Sequence, residues 1–212
     1  MTVSNLFSQF IDDEQGLAAE FALVVPLLLL FVLGTIDVGL YAYRINQAEK
    51  ATQIGARWAT VTDPLADGLD DVSLVNISGS EGVILQGDRV PVLDYEITCT
   101  GTTTTCTCAG GDCSSALSAS YPRDDAAYAA LRDRMQGILP AIQDSNIIVE
   151  YTGSGLGFAG DPNGPDVVSI ITVRLQNMTH QSVVLSPLDV STNLPDFAYS
   201  LTAEDSSGSI SN

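Results

Sequence analysis

The segment from Phe21 to Tyr43 reads FALVVPLLLLFVLGTIDVGLYAY, 23 residues among which Asp37 is the one charged side chain. A helix that crosses a bilayer needs about 20 predominantly apolar residues. The run therefore predicts a transmembrane helix over 21–43 and excludes a wholly soluble cytosolic protein. Glu20 and Asp37 bracket its most apolar part, 17 positions apart. That is ~25 Å along a helix axis, close to the ~30 Å of bilayer hydrocarbon, so each carboxylate is expected near an interface. Pro26 removes one backbone donor and should kink the helix, which membrane helices tolerate when neighbours compensate. A secretory signal would instead need a basic n-region, a shorter apolar core and a small-residue cleavage site after it. Residues 1–43 contain no Lys or Arg, and Asp12, Asp13 and Glu14 closely precede the run.

The helical pattern continues past the apolar run. YRINQAEKATQIGARWATVTDP has no break before Asp63-Pro64, where the residue ahead of the proline is pushed out of the helical region. The small residues Ala48, Ala51, Gly55, Ala56 and Ala59 recur at helical spacing, which favours close helix–helix approach. A helix over 17–62 would run ~70 Å, half of it outside lipid. Arg44, Lys50 and Arg57 follow the run and on charge alone pull the C-terminal side toward the cytoplasm. The whole chain of 212 residues has 8 Lys+Arg against 26 Asp+Glu, a formal net charge of −18. Such a charge repels phosphate backbones, so no nucleic-acid partner is expected.

Gly16, then Ala18-Ala19-Glu20-Phe21-Ala22-Leu23, Pro26-Leu27-Leu28-Leu29-Leu30, Gly34-Thr35-Ile36-Asp37-Val38-Gly39 and Ile54-Gly55-Ala56-Arg57 resemble the TadE-like family. These are the minor pilin-like proteins of the tight-adherence (Tad) type IV pilus system. The resemblance is specific over residues 14–60 and loose beyond. It implies a single-pass protein of the inner membrane with a cytoplasmic N-terminus and a periplasmic or extracellular C-terminal domain. It also implies residues 1–16 as a leader open to removal by a prepilin peptidase, with Gln15, Gly16 and Leu17 at the processing site. A cut after Gly16 makes Glu20 the fourth residue of the mature chain. A cut between Gln15 and Gly16 makes it the fifth, the family's spacing, but gives up the glycine the family places before the cut. The leader also lacks the family's basic residues, and some relatives keep their N-terminus uncut. Glu20 and Phe21 are the assembly residues under this resemblance. A carboxylate at the edge of an apolar helix could pair with the terminal amine of a neighbouring subunit; the other reading is a solvated carboxylate at headgroup level.

Residues 63–89 are polar and punctuated (DPLADGLDD, then GSEG), which reads as a linker. A head over 90–205 is expected after it, with a polar tail over 206–212. Val90–Thr98 is a predicted strand. CTGTTTTCTCAGGDC then holds all four cysteines, Cys99, Cys106, Cys108 and Cys113, in a Thr- and Gly-rich stretch that reads as a loop. Two disulfides are expected if the head lies outside the cytoplasm. Cys106 and Cys108 are separated by a single residue and are better paired outward than with each other. A four-thiolate zinc site would want paired C-x₂-C knuckles, which C-x₆-C-x-C-x₄-C lacks. Asp124–Gly137 is a predicted amphipathic helix with Ala127, Leu131, Met135 and Ile138 on one face, ended by Pro140. Strands are predicted over 146–151, 165–175, 182–185 and 197–201. The pattern predicts an α+β fold: a long N-terminal transmembrane helix, then a small head with an antiparallel sheet packed on a short helix.

Three motif-like patterns carry little chemistry. Gly155-Leu-Gly157-Phe-Ala-Gly160 matches G-x-G-x-x-G, but Asp-Pro-Asn-Gly-Pro comes next where the dinucleotide fingerprint needs a helix. Asp161, Asn163 and Asp166 lack the spacing and closing Glu of a calcium loop. His180 is the one histidine and has no motif around it; a Ser-His-Asp hydrolase has no G-x-S-x-G to rest on. No enzyme, metal or cofactor is expected. With the resemblance, the residues point to a minor pilin-like membrane subunit for assembly of a Tad-type (type IVb) pilus, structural and adhesive rather than catalytic. Its partners would be the bilayer, other pilin-type helices, the assembly machinery and a prepilin peptidase. The alternative is a membrane-anchored extracytoplasmic binding domain that is not incorporated in a filament.

Overall fold

A computed structural model describes residues 14–79, 82–162, 164–183 and 191–203. The protein is α+β: a long N-terminal apolar helix, then a small domain with an antiparallel sheet and a short helix. The described parts of residues 1–43 and 180–192 form one compact unit, and those of 44–179 and 193–212 form another.

Helix α1 is Glu14–Ala59 and includes Pro26. Its C-terminal end has side-chain caps. The last carbonyls of a helix lack intrahelical donors; here the Thr60 hydroxyl donates to Arg57 O (2.9 Å) and the Thr62 hydroxyl to Trp58 O (3.0 Å). Asp63-Pro64 then carries the chain away.

In the second unit, β3 (Glu96–Thr100), β4 (Thr105–Ala109), β5 (Ser120–Pro122), β6 (Ile147–Leu156), β7 (Val168–Leu175) and β10 (Phe197–Thr202) form a six-stranded sheet in the order β10-β7-β6-β3-β4-β5. All five pairings are antiparallel. Strand alternation places Ile97, Cys99, Ile147, Val149, Tyr151, Ile171, Val173 and Leu175 on one face, and all are buried. The opposite face is polar. One row across it runs Ser120, Thr107, Thr98, Glu150, Thr172, Ser200, one residue from each strand. On that face Arg174 pairs with Glu150 at 2.7 Å.

Helix α2 (Asp125–Gln136) begins at Asp124, whose carboxylate accepts from the backbone N–H groups of Ala126 and Ala127 at 2.8 and 2.9 Å. Its buried stripe is Tyr128, Leu131 and Met135. The predicted stripe has Ala127 in place of Tyr128, and the larger ring takes the core because its hydroxyl also finds acceptors. It donates to Ile147 O (2.8 Å) and Asp144 O (3.1 Å). The end of α1 joins the same core, with Ala48, Ala51, Thr52, Ala56 and Ala59 buried. At Gly55 the helix packs closely on α2. A Cβ there would meet Met135 Sδ at 2.9 Å and Cγ at 3.1 Å.

Residues 63–89, which read as a linker, contribute Leu65, Ala66, Leu69, Leu74 and Ile84 to the core. They are tied down by buried polar groups. The Leu65 N–H donates to the Tyr151 hydroxyl (2.8 Å), and the Leu74 N–H to Asp166 Oδ2 (2.8 Å). Within the same stretch, β1 (Ser78–Gly79) pairs with β2 (Gly82–Val83).

The Cys/Thr stretch is not a loop throughout. It ends β3, turns, and returns as β4, because β-branched Thr fits the exposed face while cysteine fits the buried one. The strand predicted over 90–98 starts at Glu96 instead, and those predicted over 146–151 and 165–175 are β6 and β7 with shifted ends. Of the strand predicted over 182–185, Ser182 and Val183 lie outside any strand, and the nearby β8 (Thr179–Gln181) pairs with β9 (Ser191–Asn193). Residues 184 and 185 lie outside the described residues, as do residues 1–13 and the tail 206–212.

Candidate functional site

The helix segment after Glu20 is apolar in sequence and bare in the structure. Phe21, Leu23, Leu27, Phe31 and Val38 are each about 70% exposed, and none of the most apolar stretch is buried. Among the described residues this is the one helix long and apolar enough to cross a membrane. A contiguous apolar surface of this size marks a lipid or protein contact. Gln15, Gly16 and Leu17 lie in the first turn of α1, and Glu20 and Phe21 are exposed just beyond.

Asp37 is not a bare interface carboxylate. Within the same unit it accepts from the Ser182 hydroxyl (2.5 Å) and from the backbone N–H of Val183 (2.9 Å). His180 Nε2 lies 3.7 Å from its Oδ1, and the imidazole meets the Tyr41 ring edge-on at 5.7 Å. The helix side chains Asp37 and Tyr41 are one turn apart, so both face the same segment. A carboxylate inside an otherwise apolar helix is costly without partners, and this segment supplies them.

Sequence reasoning missed this cluster, since its partners are about 140 residues apart and no local spacing links them. The structure does gather a Ser, a His and an Asp, but in an order unsuited to nucleophilic catalysis. A triad needs the imidazole between hydroxyl and carboxylate, so that it can take the hydroxyl proton. Here the Ser182 hydroxyl is bound directly to Asp37, and His180 Nε2 makes no hydrogen bond among the described residues. The arrangement fastens a loop to a helix.

The four cysteines form Cys99–Cys106 and Cys108–Cys113. The first lies directly across the β3–β4 pair, with both residues fully buried. The second ties β4 to the 3₁₀ turn Gly111–Cys113. Gly110 lies inside that closed loop at φ +124°, and a Cβ there would sit 2.3 Å from Asp94 O, so only glycine fits.

The remaining motif-like residues have structural work. Asp166 accepts from the backbone N–H groups of Leu74 (2.8 Å) and Gly160 (2.7 Å) and from the Ser73 hydroxyl (3.3 Å). Its oxygens are thus engaged by donors rather than free for a cation. No helix opens on Gly155, Gly157 or Gly160 among the described residues; all three have positive φ, Gly155 within the last residues of β6 and Gly157 and Gly160 in the connection to β7. Among the described residues no group of three or more His, Cys, Asp or Glu is placed to hold a metal ion. Burial raises the pKa of three core tyrosines. Tyr95, whose hydroxyl meets Ser169 Oγ at 2.7 Å, is pushed up to about 12, and Tyr128 and Tyr151 are pushed higher.

Against this geometry, a comparison with protein families matches residues 17–57 to the TadE-like protein family. The match runs from the first turn of α1 to two residues before its end. No curated protein and no solved structure matches the chain.

Proposed function

We propose that this chain, whose residues 17–57 carry the TadE-like signature, is a minor pilin-like subunit that takes part in assembling a Tad-type pilus. The observation that carries the reading is a coincidence of boundaries: the matched residues lie on a single helix whose N-terminal portion is apolar and exposed. The TadE-like family is pilus-associated and in general structural, which agrees with a site made of a helix surface rather than of reacting groups.

In this reading the helix first holds the subunit in the cytoplasmic membrane, N-terminus inside and the disulfide-bearing domain outside, where disulfides persist. It then packs against other pilin-type helices, with Glu20 setting register by pairing with the terminal amine of a neighbour. The amine is the neighbour's, and where the neighbour is a second copy of this chain a cut on one side of Gly16 supplies it. The exposed polar sheet face, with its rows of Thr and Ser hydroxyls, is the surface available for adhesion or subunit contacts.

The test is the intact mass of the full chain extracted from membranes of a host that makes the matching prepilin peptidase. Loss of the first 15 or 16 residues is expected and identifies the side of Gly16 that is cut. Glu20→Ala should leave membrane insertion unchanged and abolish co-purification with pilin-type subunits. An uncut chain that never co-purifies with them would replace this reading with an anchored binding domain outside any filament.

A further inference from the structure

Among the described residues two non-glycine positions have a left-handed backbone, Asn76 (φ 67°) and Asn177 (φ 57°). Asn tolerates this conformation better than most residues, which accounts for an Asn at each turn. Turn geometry does not account for the hydroxyl residue two positions further on. Asn76-Ile77-Ser78 and Asn177-Met178-Thr179 share that spacing, with no proline between. This is the N-x-[ST] pattern of an N-glycosylation acceptor, a weak signal as a bare tripeptide in a chain so rich in Ser and Thr.

The three-dimensional setting adds what the tripeptide lacks. At both sites the Asn and the hydroxyl residue are exposed while the middle side chain turns inward: Met178 is buried and Ile77 half-buried. The Asn76 and Asn177 carboxamides and the Ser78 and Thr179 hydroxyls make no hydrogen bond within the described residues. What is held instead is the backbone. The Asn76 N–H donates to Ile84 O (2.8 Å), and the buried Asn146 side chain donates to the carbonyls of Gln176 (3.0 Å) and Asn177 (3.2 Å). Each acceptor group is therefore presented to solvent on a fixed turn, and a bulky attachment there would displace no core contact.

We infer that Asn76 and Asn177 are acceptor sites for N-linked glycan. The donor is a lipid-linked oligosaccharide activated as a phosphate or diphosphate ester. Asn Nδ2 attacks the anomeric carbon, a C–N bond forms, and the C–O bond to phosphate breaks. The phosphate leaves with the electron pair and Nδ2 gives up one proton. The inference rests on the outward placement of the domain after the apolar helix, since such donors and their transferases act on the outer side of the membrane.

The test is peptide mass analysis of the full-length chain isolated from the membranes of the cells that make it, with protease accessibility of the domain measured on the same cells. The expected result is one common added sugar mass on the peptides bearing Asn76 and Asn177. Ser78→Ala should remove it at Asn76 alone and Thr179→Ala at Asn177 alone, each keeping the Asn and its turn. Unmodified Asn at both sites on an externally accessible domain would overturn the inference and leave the proposed function standing. Unmodified Asn on a domain that protease reaches only once the cytoplasmic membrane itself is broken, and not in spheroplasts, would overturn the outward orientation as well.

Discussion

Two residues in the core do work that their identity alone does not announce. Gly55 lets α1 approach Met135 and Leu131 closely, since a Cβ would fall 2.9 Å from the Met135 sulfur. Gly55→Ala should be mild because the thioether end of Met135 can yield. Gly55→Leu should destabilise the domain by about 1–3 kcal/mol through overpacking, read as a shift of the denaturant midpoint of the full chain in detergent. Tyr151 is almost fully buried and its hydroxyl is the acceptor for the Leu65 N–H. Tyr151→Phe keeps the ring but leaves that donor unsatisfied, so a loss of about 1–3 kcal/mol is expected in the same measurement. Amide exchange at Leu65 should rise with it. Neither role is legible in the sequence: Gly55 stands out only as one of several small residues, and Tyr151 only as the end of a predicted strand.

Among the elements, the long helix is the most legible and the β3–β4 hairpin the least. An apolar run of 23 residues admits few other structures in lipid, because backbone groups there must be satisfied within the segment. The hairpin is written in Thr, Gly and Cys, and its strand character depends on a buried face that only neighbouring strands create. Its disulfides close short loops, with sequence separations of 7 and 5. Chain-entropy reasoning gives each about 2–3 kcal/mol. Reduction of the intact chain should therefore lower its unfolding temperature, with Cys99→Ser plus Cys106→Ser accounting for the part that belongs to the buried bridge. An unchanged melting profile under reductant would show that the hairpin is held by sheet packing alone.

For the molecule as a whole, how stability changes above about pH 10 depends on keeping the buried phenols neutral. An unfolded Tyr titrates near pH 10, whereas burial holds Tyr95 at about 12 and Tyr128 and Tyr151 above it. Because the folded values are raised, the stabilisation is fully present below pH 10 and is lost as pH rises through 12. Chemical denaturation between about pH 8 and pH 12 should show a midpoint that holds to about pH 10 and then falls. Tyr95→Phe should make that fall shallower and leave its onset near pH 10, because Tyr128 and Tyr151 still titrate on unfolding. The acidic groups obey a different logic: with 26 of them and 8 basic residues, most lie on solvated surface where pairing contributes little.

The long apolar helix, the family resemblance along it and the α+β class can be read from the chain alone. Each rests on periodicity or composition within a continuous segment, and such signals survive without knowledge of distant neighbours. Only the folded molecule brings residues 63–89 into the core, sets Cys99 against Cys106, and satisfies Asp37 with Ser182 and the Val183 N–H. One cause underlies all three. Burial and hydrogen bonding are settled between groups that the chain separates, in the last case by about 145 residues, and no local pattern records which polar group will meet which.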